Sequence, residues 1–186
     1  ILMWAGNQVR PYENNKGETD KLIEDWQNRL IKEGFAIGSF KKNAFQMVKD
    51  FEKIAYTPSV KARVGIVGEI YIKYAPLGNN CLEEFLRGED VEPVVPGLLD
   101  FIIFMCDHHV VDTQLYHVAY KKYIASGALE AFLKKMQDIM IKAFEDSRFR
   151  APAHFDETKE NSREYVSPAN KMGEGWLLTA EMVELI

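Results

Sequence analysis

The residues best equipped for chemistry gather in one stretch, where Glu69, Tyr71, Tyr74, Gly78, Asn79 and Asn80 bring a carboxylate, phenols and amides close behind a β-branched run. Open α/β sheets place ligands at the carboxyl ends of their strands. The N–H groups opening a helix after Gly78 could hold an anion such as a phosphate or a carboxylate; Asn79 and Asn80 also read simply as a turn and a cap. A second candidate is Gly173, Glu174 and Gly175, because paired glycines let backbone approach a ligand or another surface. A flexible helix entry is the plainer reading of the same residues. Asp107, His108, His109 and Asp112 have the spacing that would bring His108 and Asp112 to one helix face, as a metal-dependent hydrolase requires. With no further ligand cluster in sequence, an exposed helix end explains them better, and no metal site is expected. His117 sits on an aromatic helix between Tyr116 and Tyr120, and His154 lies in a polar stretch with no partner in sequence.

Cys81 opens a helical turn, where the dipole favours thiolate. Cys106, beside Phe104 and Met105, reads as a buried small hydrophobe. Catalytic residues stay unassigned: no Gly-x-Ser-x-Gly elbow and no Gly-Lys-Ser/Thr phosphate loop occurs, and Gly65-Ile66-Val67-Gly68 lacks the third glycine of a dinucleotide fingerprint.

These residues must be positioned by the elements around them. Residues 1–60 read as a helical lead-in, with one helix capped by Thr19 or Asp20 and ended by Gly34, and another running from Ser39 to the Tyr56-Thr57-Pro58 turn. Residues 61–106 read as a parallel α/β core. Val64–Gly68 is a strand buried on both faces, Glu69–Tyr74 its possible extension, Asn80 with Glu83 a capping box, and Val91–Val95 a second strand. Leu98–Met105 is a buried helix or a strand-to-helix hybrid. Residues 107–146 read as a helical insertion with an apolar stripe through Leu129, Phe132, Leu133, Met136 and Phe144. Residues 147–186 are a long loop over 147–167 followed by a final helix. The expected fold is therefore α/β, a small parallel sheet with a strand-helix-strand crossover of Rossmann or flavodoxin-like type, in one domain of a larger protein. The ends suit that expectation, since the chain opens in Ile1-Leu2-Met3-Trp4 and stops inside the amphipathic run Trp176–Ile186.

Composition narrows the function classes. The 186 residues, 47% hydrophobic and 27% charged, are ordinary globular usage. A net charge of −5 argues against nucleic acid, which needs a cationic face. The longest apolar run, interrupted by Asp100, is far short of the roughly 18 residues of a membrane span. Two cysteines and no leader pattern suit a reducing, cytoplasmic setting.

Four stretches together resemble one family. Arg10-Pro11-Tyr12-Glu13 with Lys16–Asp20, Arg63–Tyr71 with Gly78-Asn79-Asn80, Val94–Phe101, and Gly173–Met182 are similar to the carboxy-terminal half of CoA-substrate-specific enzyme activases, the activators of 2-hydroxyacyl-CoA dehydratases. The resembling region is itself similar to 2-hydroxyacyl-CoA dehydratase subunits and double-cubane iron–sulfur proteins. The resemblance implies ATP-driven, low-potential electron transfer by a larger activase that carries ATP and a thiolate-held iron–sulfur cluster. Within it this chain would be a scaffold and docking domain, not catalytic alone and with no cofactor of its own. Its partners would be the remaining domains and a CoA-ester dehydratase of the 2-hydroxyglutaryl-CoA type. ATPase motifs are absent from this chain, and neither Cys81 nor Cys106 falls in a ligand motif of that family. An autonomous small-molecule or anion-binding module of flavodoxin-like character is the alternative, and the metal hydrolase is the outsider.

Overall fold

The computed structural model describes residues 1–34, 36–117 and 120–186. Helices α1 (Leu2–Val9), α2 (Glu18–Glu33) and α3 (Ile37–Glu52) lead to strand β1 (Arg63–Gly65). Short helices α4 (Ile70–Tyr74), α5 (Pro76–Asn79) and α6 (Leu82–Gly88) precede strand β2 (Glu92–Val94). Then follow α7 (Leu98–Tyr116), α8 (Tyr120–Glu145), α9 (Phe155–Ser162), a 3-10 turn at Met172–Glu174 and α10 (Gly175–Leu185).

The α/β expectation is overturned. Helix accounts for 67% of the described residues, and the sheet found among them is a parallel pair of three-residue strands. No Rossmann or flavodoxin-like layer is built from that. A parallel strand is normally covered on both faces, but Arg63, Val64 and Gly65 are all exposed, and Ile66 is the one fully buried residue of the Val64–Gly68 run. Gly65 and Gly68 give the run no side chains with which to hold neighbouring layers. The stretch Glu69–Tyr74 turns into α4 instead of extending the strand, its first turn closed by the Lys73 N–H on the Glu69 carbonyl at 2.8 Å.

Two other expectations change for local reasons. The polar stretch 147–167 holds α9: Asp156 and Glu157 stand in its first turn, where the helix dipole favours carboxylates, and Phe155 is completely buried. The helical run from Gln114 onward is divided, α7 ending at His117 in the left-handed region and α8 beginning at Tyr120, with positions 118 and 119 outside the described residues.

The chain forms two compact units, each discontinuous in sequence. The first comprises 1–64, 81–94 and 139–151. Ala44, Val48 and Phe51 recur at helical spacing on α3 and pack with Ala5, Val9, Ala143, Phe144 and Phe149. The N-cap of helix α2 is Gly17, in the left-handed region at φ 89° and without a side chain to cap, in place of the expected Thr19 or Asp20. The carboxylate of Glu13 accepts the Gly17 and Thr19 N–H groups at 2.7 and 2.8 Å and satisfies that helix start from outside. The Asn80–Glu83 capping box is likewise absent: Cys81 is the N-cap of α6, and Glu83 accepts the Asn7 amide at 3.0 Å.

The second unit comprises 65–80, 95–138 and 152–186. Ile103 and Phe104 of α7, Phe155 of α9, and Trp176, Leu177 and Ala180 of α10 make its core. The Trp176 indole meets Phe104 and Phe155 edge to face at 5.2 and 5.6 Å. Gln137 ties three helices together, donating to Asp100 at 2.6 Å and accepting the Phe155 N–H at 3.1 Å.

Candidate functional site

In the second unit, α4 and α10 are joined by a buried ion pair. Lys73 and Glu181 are 1% and 2% exposed, and the ammonium donates to both carboxylate oxygens at 2.5 and 2.7 Å. Removing two charges from water is costly, and only a close, bidentate contact of this kind offsets the loss. Three further carboxylates act on this pair: Asp100 in the first turn of α7, Glu184 one turn beyond Glu181, and Glu174 in the turn before α10. Glu184 is held by the Thr158 hydroxyl at 2.8 Å, and Glu174 accepts the Ile70 N–H at 3.0 Å.

Crowding of acids around one ammonium changes their protonation. The Asp100 carboxyl is pushed up to about 7, chiefly by burial and then by Glu184 and Glu181, against the opposing Gln137 hydrogen bond and Lys73. Glu181 is likewise pushed up to about 7, chiefly by burial, with Lys73 opposing and Glu174 and Glu184 adding to the rise. The two acids titrate as a coupled set. Chemically, the cluster holds an exchangeable proton near neutral pH on groups fixed to three helices.

Several residues expected at a site meet here. Glu69 and Gly173, more than a hundred positions apart in sequence, are adjacent: a Cβ at Gly173 would lie 2.9 Å from a Glu69 carboxylate oxygen. Gly173 also has φ of +60°, and Gly175 lies against the Asn170 carbonyl, where a Cβ would come within 2.2 Å. Both glycines therefore stand where a side chain does not fit. Glu174 sends one oxygen to Ile70, while its other oxygen and the Trp176 indole N–H are buried without a partner among the described residues. Tyr74 donates to the Pro96 carbonyl at 2.6 Å, and the Asn79 amide donates to the Lys73 carbonyl at 3.4 Å.

The rest of the expected loop does structural work. Gly78 passes so close to Tyr71 that a Cβ there would meet its ring and carbonyl at 2.8 Å, while the Tyr71 side chain is otherwise exposed. Asn80 ends α5 in the left-handed region, and the first turn of α6 carries Glu83 and Glu84, so its field is already met by carboxylates. Asp107 and Asp112 each hold a lysine, Lys159 at 2.5 Å and Lys171 respectively. His108 lies edge-on against Phe104, and burial pushes its imidazole down toward the neutral form, with Lys171 adding to this. Among the described residues no three His, Cys, Asp or Glu side chains group to hold a metal. Cys81 is exposed, and Cys106 is buried, its thiol pushed up by burial and by Glu130.

Lys73, Asp100, Glu181 and Glu184 are not among the site residues expected from the sequence, yet a signal exists. Each of the first three is a lone charge in an apolar run: Ile70-Tyr71-Ile72-Lys73-Tyr74, Leu98-Leu99-Asp100-Phe101 and Trp176-Leu177-Leu178-Thr179-Ala180-Glu181-Met182. A charge so placed is buried only with a partner. No family model, curated protein or solved structure matches the chain.

Proposed function

We propose that this chain is the scaffold and docking part of an activator of 2-hydroxyacyl-CoA dehydratases of the 2-hydroxyglutaryl-CoA type. It serves ATP-driven, low-potential electron transfer in the cytoplasm and does not hold the reacting groups alone. The observation that carries the reading is the contact between two of the resembling stretches. Two of them, Arg63–Tyr71 and Gly173–Met182, are about a hundred positions apart in sequence, yet the Ile70 N–H donates to Glu174, and Lys73, two residues beyond the first stretch, pairs with Glu181 of the second. Residues that carry a family likeness and also fix one another's positions are what a shared framework requires. ATP and an iron–sulfur cluster belong, in this reading, to other parts of the activator.

The docking role is tested by anaerobic binding of the intact chain to a purified 2-hydroxyacyl-CoA dehydratase and, separately, to an activase ATPase module. Saturable binding to either, with a Kd on the order of micromolar as transient electron-transfer contacts show, supports the reading. Binding to neither sinks it. Anaerobic reconstitution with iron and sulfide provides the second readout. Charge-transfer absorption confined to a longer protein that includes this chain is expected, whereas absorption in this chain that disappears on Cys81→Ala overturns the assignment of the cluster elsewhere.

A further inference from the structure

In the first unit, a cavity of about 210 Å³ is lined by Tyr12, Tyr56, Glu92, Arg148, Phe149 and Arg150, with Val9, Pro58 and Ser59 at its wall. Its floor is the Glu92 carboxylate, 1% exposed, which accepts the Tyr12 hydroxyl at 2.7 Å and pairs with Arg150 and, at 3.4 Å, with Arg63. The Tyr12 phenol, pushed up to about 12 by burial and by its bond to Glu92, stays a neutral donor.

Arg148 is placed differently. Its guanidinium carbon stacks 3.9 Å from the Tyr56 ring centroid, and one terminal nitrogen reaches the Phe51 and Ile54 carbonyls at 3.4 Å. It has no carboxylate partner for its guanidinium among the described residues; Glu52 accepts the Arg148 backbone N–H instead, at 3.1 Å. Arg63 and Arg150 share the one carboxylate of Glu92, and even with Glu52 counted for its bond to the Arg148 backbone, one positive charge of the three arginines stays uncompensated in a chain whose net charge is −5. A guanidinium carries five N–H donors in a fixed fork that matches a carboxylate. Arg148 and Arg150 both line the cavity, and each uses one terminal nitrogen on the protein, which leaves further guanidinium donors on both.

From this the geometry points to a site for a small carboxylate in the Arg148–Arg150 cavity, the head group bridging the two guanidiniums and a short apolar body lying on Val9, Tyr56, Pro58 and Phe149. The volume suits a ligand of a few carbon atoms, below the roughly 300 Å³ at which drug-sized pockets begin. A single uncompensated charge suits a monoanion over a dianionic phosphate monoester. This site is independent of the docking role proposed above, since it uses residues of the other unit.

The test uses hexanoate, acetate and inorganic phosphate as probes on the intact chain, followed by NMR of the arginine side-chain Nε–H resonances. Hexanoate is expected to move the Arg148 and Arg150 signals saturably and to bind more tightly than acetate, because only the longer chain covers the apolar wall. Arg148→Met weakens hexanoate binding roughly tenfold or more, the loss expected for a charge-assisted contact, while Lys135→Met on α8 leaves it unchanged. The wild-type resonances decide the matter even if Arg148→Met fails to fold. Absence of a saturable shift, or unchanged affinity in Arg148→Met, overturns the site; phosphate binding more tightly than hexanoate overturns the carboxylate assignment.

Discussion

Lys73 and Glu181 show how much one residue can decide. A buried ion pair adds little net stability, but removing one partner strands the other charge, at a cost of about 3 kcal/mol or more. Lys73→Met should therefore lower the urea midpoint strongly, and Lys73→Met combined with Glu181→Leu should recover most of the loss. A double variant no better than the single one would show that the pair is not the source. The acids also set a pH dependence. Asp100 and Glu181 ordinarily titrate at 3.8 and 4.5 but are raised to about 7 in the folded chain, so the native state binds protons that the unfolded state has released. Their contribution is fully present below pH 4 and is lost as pH rises through 7. Thermal scans should give a higher Tm at pH 5 than at pH 8. Asp100→Asn, whose side-chain oxygen can still accept from Gln137, should flatten that difference; an unchanged slope would remove Asp100 from the cluster.

At the scale of the element, helix starts and turns carry the testable content. Glu13 caps α2 from outside its own turn, so Glu13→Ala should cost about 1 kcal/mol, the usual value of a lost cap, and speed amide exchange at Gly17 and Thr19. The two glycines at either end of the range behave oppositely. Gly175→Ala would drive a Cβ into the Asn170 carbonyl and should destabilise by about 1–3 kcal/mol. Gly88, with open space around it at the end of α6, should become slightly more stable as alanine. Denaturant titration of both variants checks the contrast. Element types were legible where periodicity was strong: α3 shows its buried face at Ala44, Met47, Val48 and Phe51 in sequence as in structure. They were illegible where composition pointed the wrong way. The Val64–Gly68 run has the residues of a buried strand, but strand burial depends on neighbours that no local pattern encodes, and only three residues pair.

Across the whole molecule, no helix among the described residues is long and apolar enough to cross a membrane. Apolar mass is instead concentrated in two separate cores. Trp176→Ala empties the centre of the second one and should cost about 3–5 kcal/mol, with hydrogen exchange accelerating first across α7, α9 and α10, whose Phe104 and Phe155 lose their edge contacts. Uniform acceleration over the entire chain would mean that Trp176 does not belong to one local core. The sequence by itself determined the helices of strong period such as α3, the residue kinds available for chemistry and the lone charges in apolar runs, because periodicity, composition and side-chain type are local properties. Tertiary structure alone decided that Glu69 meets Gly173, that Lys73 is neutralised by Glu181, and that Arg148 and Arg150 share a cavity. Those facts depend on which distant segments exclude water together, and while a lone charge in an apolar run shows that a partner is needed, the order of residues nearby does not say which one it is.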